Sequence, residues 1–304
     1  MSNEIDWKKE KFAIFILTHG RPDNVVTYDT VRRHGYTGDI YLLIDNEDKT
    51  ADSYYDKYGD EVIMFDKLAI SKTFDQADNF EDRRAIVYAR NAVFDVAEKL
   101  GLDYFMQLDD DYTSFSIRID ENKNFTHKSV KNLDRHIKSL LDFYKKVPNL
   151  KAISFAQGGD FIGGISCSLL KSNLAKRKCM NSFLCSPHRR FTFKGRINED
   201  VNTYTHEASK GMLFFTFPFV MLNQKVTQTN NGGMTDIYKA NGTYIKSFYS
   251  VLFQPPSVKV SLINGPSQSR IHHKIKWVNT IPHIISEKYK KRWLDDKRFT
   301  DWND

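Results

Sequence analysis

Four short apolar runs alternate with helix-like stretches early in the chain: Phe12 to Leu17, Ile40 to Ile44, Val62 to Phe65 and Tyr104 to Leu108. A continuous apolar run of about four to eight residues, bounded by turn residues, reads as a strand buried on both faces. Gly20 and Pro22 follow the first run, and Asp23 is placed to cap a helix from about Asn24 to Arg33. From Glu81 to Leu100, apolar residues at Ile86, Ala89, Val93, Val96, Ala97 and Leu100 keep helical spacing, and Gly101 supplies a stop. Lys131 to Tyr144 reads as another helix, and Ala152 to Phe155 as another strand. This alternation predicts an α/β chain with a mostly parallel central sheet flanked by helices. In such sheets ligands bind beyond the carboxyl ends of the strands.

The polar residues at those ends are therefore the first candidates for a site. Thr18-His19-Gly20-Arg21 follows the first run, Asp45 ends the second, and Asp109-Asp110-Asp111 ends the fourth. Three adjacent carboxylates at a strand end suit a hard divalent cation, which in turn suits a phosphorylated substrate. Asp109 and Asp111, one residue apart, can share such an ion, with Asp110 pointing elsewhere or toward the substrate. An exposed, capped loop would account for the same three acids.

Charge is divided unevenly along the 304 residues. Residues 1–160 carry 23 Lys/Arg against 29 Asp/Glu, and residues 161–304 carry 22 against 9. From Phe161 to Asn198 there are eight basic residues and no acid, including Lys176-Arg177-Lys178 and Arg189-Arg190. A basic half suggests a polyanion such as nucleic acid, or else a solvated surface. The 40% apolar content supports a folded chain. The odd cysteine count (Cys167, Cys179, Cys185) fits a reducing compartment, and no apolar stretch has the length of a membrane span. These features predict a soluble cytoplasmic protein with no membrane partner.

Two further clusters carry chemistry. Glu199-Asp200 are the first acids after that 38-residue stretch. Asp200 is the candidate general base and Glu199 its alternate, although acids at a helix N-terminus also favour the dipole. His272-His273 lie between Arg270 and Lys274. A neutral imidazole can complete a carboxylate metal site and suits manganese better than magnesium, while Lys274 or Lys276 could neutralise a leaving diphosphate.

Taken in order, Phe12 to Arg21, Asp109 to Asp111, Gly163-Gly164, Glu199-Asp200 and His272 or His273 resemble the motif series of glycosyltransferases of the GT-A fold. The resemblance implies a Rossmann-like single domain with a C-terminal elaboration on the acceptor side. Residues 1–160 would form the half that binds the nucleotide sugar, and residues 161–304 the half for acceptor and catalysis. It implies a nucleotide-sugar donor, most often a uridine diphosphate sugar, and a divalent metal, Mn2+ or Mg2+. Thr18 and Arg21 would lie by the nucleotide, with Asp45 near uracil or ribose. Arg90, in an Ala-Arg-Asn string, and Asp110 would also serve the donor. Asp109, Asp111 and His273 would hold the metal, Gly163-Gly164 would face sugar and acceptor, and Lys274 would meet the diphosphate.

Leu108 to Tyr112 and the segment from Asn231-Gly232-Gly233-Met234 to Tyr244-Ile245-Lys246 look like the TET-associated glycosyltransferases. Phage members of that family are thought to glycosylate hydroxymethylated pyrimidines in DNA. The basic half agrees with such an acceptor, with Arg189, Arg190, Lys194, Arg196, Gly232 and Gly233 as its DNA-facing residues. Flipping of the target base is a further expectation, with Phe191, Phe193, Tyr204 and the Asn231 to Met234 loop flanking it. Competing readings are the same chemistry on a protein, polysaccharide or small acceptor, and a nucleic-acid-binding module with a vestigial cleft. The triple Asp speaks against the last, because a pure DNA binder gains nothing from dense negative charge beside its polyanion.

Overall fold

The structure, a computed structural model, describes residues 5–78, 83–120, 122, 124–167, 178–225, 244–264 and 269–280. Gly232, Gly233, the rest of the Asn231 to Met234 loop, Lys176 and Arg177 lie outside the described residues.

Among the described residues nine strands form one sheet: β1 (Phe12–Leu17), β2 (Asp39–Asp45), β3 (Val62–Phe65), β4 (Tyr104–Asp109), β5 (Tyr112–Ile119), β6 (Phe125–Ser129), β7 (Leu150–Gln157), β8 (Ser182–Cys185) and β9 (Leu213–Gln224). Their order is β3-β2-β1-β4-β8-β7-β9-β5-β6. Seven strands run one way; β5 and β8 oppose them. The helices are α1 (Trp7–Glu10), α2 (Val26–Arg33), α3 (Ala51–Tyr58), α4 (Lys67–Ser71), α5 (Val87–Lys99), α6 (Leu133–Lys146), α7 (Glu199–Ser209) and α8 (Ile245–Phe253). A separate hairpin, β10 (Val258–Asn264) with β11 (Ser269–Ile275), follows α8.

The continuous apolar runs are explained by burial on both faces. In β1, Phe12, Ile14 and Ile16 point into one core with Leu133, Ile137, Leu140 and Leu141 of α6. Phe15 and Leu17 point into the other, with Val87, Val93, Phe94 and Ala97 of α5. A one-residue slip would exchange the two sets, so register is strongly specified. Ile16 stands between Leu42 of β2 and Leu108 of β4, and Leu17 stands beside Asp109. This register levels the strand ends and brings Thr18, Asp45 and Asp109 to one rim.

The two halves of the chain are woven together. β8 lies between β4 and β7, and β9 lies between β7 and β5. β9 contains Pro218, which cannot donate to a ladder. The β7–β9 register shifts there, from Phe155 opposite Phe217 to Ala156 opposite Met221, and so accommodates it.

Two local expectations fail. Asp23 caps no helix: α2 begins at Val26 after Val25, and Asp23 sits in the 3-10 turn Pro22–Asn24 with a nearly fully exposed side chain. The helix expected from Glu81 begins at Val87 among the described residues.

Candidate active site

The triple Asp occupies the turn from β4 to β5. Thr27 of α2 pins that turn: its hydroxyl donates to the Asp109 carbonyl at 2.6 Å and accepts from Tyr112 N–H at 2.8 Å, and its own N–H donates to the Asp110 carbonyl at 3.1 Å. The three carboxylates then diverge. Asp110 turns to the end of β1, where it accepts from the Thr18 hydroxyl at 2.8 Å and the Arg21 guanidinium at 3.0 Å. Tyr54 of α3 closes this knot: its hydroxyl lies 2.8 Å from Thr18 Oγ1 and accepts from Arg21 N–H at 2.9 Å.

Asp109 turns instead to Arg90 of α5, whose Nη2 donates to it at 2.8 Å while Nε donates to Glu199 at 2.9 Å. Arg90 is almost wholly buried and stacks over Phe183, 4.8 Å from the ring centroid. It therefore ties the β4 rim to the start of α7. Burial lifts Asp109 to about 7; Arg90 opposes this, while the charges of Asp111, Glu199 and Asp110 add to it. Burial and the Asp110 charge also raise Asp111.

Glu199 and Asp200 open α7 after Asn198, which sits in the left-handed region at φ 61° and ψ 35°. Asn tolerates that conformation better than most residues. Asn198 Nδ2 donates to Ser250 Oγ of α8 at 2.6 Å and lies 3.4 Å from His273 Nδ1 of β11. The strained residue thus joins the acidic pair to the C-terminal hairpin. Burial and the neighbouring Glu199 charge raise Asp200 to about 7. Lys178 and Lys246 both act electrostatically on Asp200. Burial, then His272, Lys246 and Lys178, push His273 down to about 3, so its ring is neutral.

A cleft of about 370 Å³ opens on this rim. Thr18, Arg21, Asp45 and all three adjacent aspartates line it, as strand-end reasoning expects. His19, Lys67, Arg84 and Gln224 also line it, and Phe65, Ile86 and Ala89 give it an apolar wall. Asp45 lies 2.8 Å from His19 Nδ1 and 3.3 Å from Lys67 Nζ. Burial would raise Asp45, but the His19 hydrogen bond and the Lys67 charge prevail and hold it below the ordinary range. A cleft with one apolar wall, flanking cations and a carboxylate rim can seat a planar base at one end and phosphates at the other.

Several expected residues lie elsewhere. Among the described residues no three His, Cys, Asp or Glu side chains gather closely enough to hold a metal, so Asp109, Asp111 and His273 do not form one ligand set. Lys274 pairs across the hairpin with Lys259, and neither Lys274 nor Gly163-Gly164 lines the cleft. Arg189 and Arg190 follow β8, whose antiparallel course carries them to the Tyr104 end of the sheet, opposite the rim. There Arg189 donates to the Tyr144 and Val147 carbonyls at 2.7 and 2.9 Å and closes the end of α6, while Arg190 meets Asp95 and Glu98. Arg196 is buried against Asp78 at 3.0 Å, and Lys194 Nζ rests 2.9 Å from His206 Nε2. Phe191, Phe193 and Tyr204 are core residues, so they cannot flank a base.

Sequence reading passed over Thr27, Tyr54, Lys67, Asn198 and Gln224. Lys67 stands two residues beyond the Val62 to Phe65 run, so the strand-end rule could have found it. Gln224 ends β9, a strand whose extent the apolar stretch near Pro218 does not reveal.

Compared with known proteins, the chain matches the family model of the TET-associated glycosyltransferases over residues 12–233. No curated protein matches it. Among solved structures, it is similar to S. aureus TarS at 9% identity and TM-score 0.42, with 80% of this chain and 40% of that one covered. The mannosyltransferase PcManGT from Pyrobaculum calidifontis, in complex with GDP-Man and Mn2+, aligns at 12% identity and TM-score 0.49, covering 81% and 66%. Glucosyl-3-phosphoglycerate synthase from Mycobacterium tuberculosis, in complex with Mg2+ and UDP, aligns at 8% identity and TM-score 0.43, covering 91% and 92%. The chain thus spans less than two thirds of the first two of these structures.

Proposed function

Because the chain belongs to the TET-associated glycosyltransferase family, we propose that it transfers a sugar from a nucleotide diphosphate sugar, a uridine diphosphate sugar in particular, to a hydroxymethylated pyrimidine in DNA. The observation that carries this reading is the cleft: it collects Thr18, Arg21, Asp45 and Asp109 to Asp111 on one rim, and Arg90 links that rim to Glu199 and Asp200. The nucleoside base lies against Phe65, Ile86 and Ala89, Asp45 takes a ribose or base donor, and Arg21 and Lys67 meet the diphosphate.

A divalent cation fits the carboxylates at the other end. Asp109 and Asp111 are crowded and partly desolvated, a state that a bound cation relieves. Magnesium-like sites commonly use only one or two protein carboxylates and complete their shell with substrate phosphate and water. Asp109 and Asp111 would hold the ion, which when bound neutralises charge on the departing diphosphate.

With Asp200 as the base, the transfer is an in-line displacement that inverts the anomeric carbon. The acceptor's hydroxymethyl oxygen attacks the anomeric carbon and forms the new C–O bond. The bond from that carbon to the phosphate oxygen breaks, and its electron pair leaves with the nucleoside diphosphate. The hydroxyl proton passes to the Asp200 carboxylate, whose raised pKa suits a base working near neutrality. Arg90 holds Glu199 and hence the N-terminus of α7 in place. The excess of 22 basic over 9 acidic residues in 161–304 favours a polyanionic acceptor.

The test is nucleotide release. Purified protein receives manganese, a panel of uridine diphosphate sugars, and DNA with or without hydroxymethylpyrimidine. Release that requires the modified DNA is expected. Release that responds equally to unmodified DNA, or none across the panel, overturns the reading.

A further inference from the structure

The cations expected to face DNA are engaged inside the fold: Arg189 on carbonyls, Arg190 on Asp95 and Glu98, and Arg196 on Asp78. A later basic surface is not. From Ile237 to Ser286 the sequence has six Lys/Arg and no acid. Four of these, Lys246, Lys259, Arg270 and Lys274, belong to α8 and the β10–β11 hairpin. Among the described residues none of the four makes an ion pair.

The hairpin is a two-stranded ribbon separate from the main sheet. Side chains alternate between its faces. Val258, Val260 and Leu262 share one face with Ile271 and His273. Exposure along it rises from 0% at Val258 to 40% at Val260 and 60% at Leu262, so the ribbon is seated at its base and leaves the body toward its turn. Lys259, Arg270 and Lys274 share the other face, and all three are exposed. Lys259 stands directly opposite Lys274. Like charges facing each other across a ladder are destabilising, a cost that an anion lying over them removes.

This ribbon is joined to the proposed base. His273 lies 3.4 Å from Asn198 Nδ2, at the start of the helix that carries Asp200. Lys246 of α8 stands between: burial pushes its ammonium down, the Asp200 charge opposes this, and the Arg270 charge adds to it. Cations therefore run from Asp200 out to the exposed face. Arg270 and Lys274 are four residues apart on one strand, roughly 13 Å, a length that covers about four phosphates on one strand of a duplex.

We propose that the β10–β11 hairpin is the arm that holds the sugar–phosphate backbone of the acceptor DNA, with Lys259, Arg270 and Lys274 on phosphates and Lys246 nearest the target nucleotide. Such contacts fix the strand's position without reading its sequence. An anionic membrane would meet the same cations, but the row ends at Asp200, where an acceptor has to lie. This inference rests on the proposed transfer to DNA.

The test is fluorescence anisotropy of the full chain with a short unmodified duplex, between about 50 and 200 mM salt. The arm variant is the triple substitution Lys259→Gln, Arg270→Gln and Lys274→Gln. A control, Lys8→Gln, Lys9→Gln and Lys99→Gln, removes the same charge from exposed positions at the sheet end opposite the rim. Each phosphate contact contributes about 0.9 to the slope of log affinity on log salt. The arm variant should have a slope smaller by about 2–3, a roughly 40-fold smaller loss of affinity over that range. The control should keep the wild-type slope. The arm variant should also bind UDP with unchanged Kd and melt no lower than wild type, because it relieves opposed like charges. A wild-type slope in the arm variant, or an equal change in the control, overturns the proposal. So does a weakened UDP Kd with the DNA slope unchanged, which would give these cations to the donor diphosphate. Loss of binding to phosphatidylserine vesicles with the DNA slope unchanged would make this a membrane face and overturns it too. Wild type that binds no duplex removes the DNA acceptor, and the arm with it. Wild type that binds with the expected slopes yet transfers no sugar to DNA removes the proposed function and leaves the arm in place.

Discussion

Replacing Arg90 by methionine should uncouple the site from the fold. The guanidinium is buried and holds two carboxylates, Asp109 at 2.8 Å and Glu199 at 2.9 Å. Methionine fills much of the volume but leaves both acids without their counter-charge. Removing one partner of a buried pair costs about 3–5 kcal/mol. For a chain of this length that corresponds to a drop in Tm of roughly 5–10 °C. The loss should depend on pH in a defined direction. Asp109 already stands at about 7 with Arg90 pulling it down, so without Arg90 its folded pKa rises further above the unfolded value. A carboxyl raised on folding keeps its contribution below its unfolded pKa and loses it as pH rises through the folded pKa. Thermal melts in EDTA, followed by circular dichroism, should therefore show a small deficit at pH 5 and the full deficit at pH 8.5. Arg90→Lys should recover part of it. A deficit under about 1 kcal/mol at pH 8.5, or one independent of pH, would refute this reasoning.

Three other perturbations are informative. Asp111→Asn removes a carboxylate raised by burial and by Asp110, so the variant should melt no lower than wild type in EDTA at pH 8; it should also lose turnover and the stabilisation that manganese with UDP gives wild type, and unimpaired turnover would remove Asp111 from metal binding. Asp200→Asn should cut kcat by about 10²–10⁴, and wild-type kcat should fall as pH drops below about 7, where the base takes up its proton; a flat wild-type profile from pH 5.5 to 8.5 would exclude that role. Arg189→Ala should cost about 1–3 kcal/mol through unpaired carbonyls at the end of α6 and leave the KM for DNA unchanged; weakened DNA binding with unchanged urea stability would reverse that assignment.

The parallel half of the sheet was legible because each strand is buried on both faces and reads as an unbroken apolar run. β1 spans Phe12–Leu17 as expected, and strand ends pointed to Thr18, Arg21, Asp45 and the triple Asp. The later half resisted. β8 is only four residues long, β5 and β11 mix polar and apolar residues, and Pro218 interrupts β9. Sequence also shows charge without its partners. Arg189 and Arg196 belong to a basic stretch, yet one closes a helix and the other is buried against Asp78. Aromatic residues carry the same ambiguity: Phe193 looks suited to stacking on a base but packs on Phe183 in the core.

The central claim is that this chain joins a nucleotide-linked sugar to a hydroxymethylated base. Mass spectrometry of the oligonucleotide after incubation with enzyme, manganese and uridine diphosphate sugar tests it most directly. The account predicts a gain of one sugar residue on hydroxymethylcytosine DNA, no gain on unmodified DNA, and no gain with Asp200→Asn. Sugar appearing on unmodified DNA, or no adduct while the donor is consumed onto another acceptor, would contradict it.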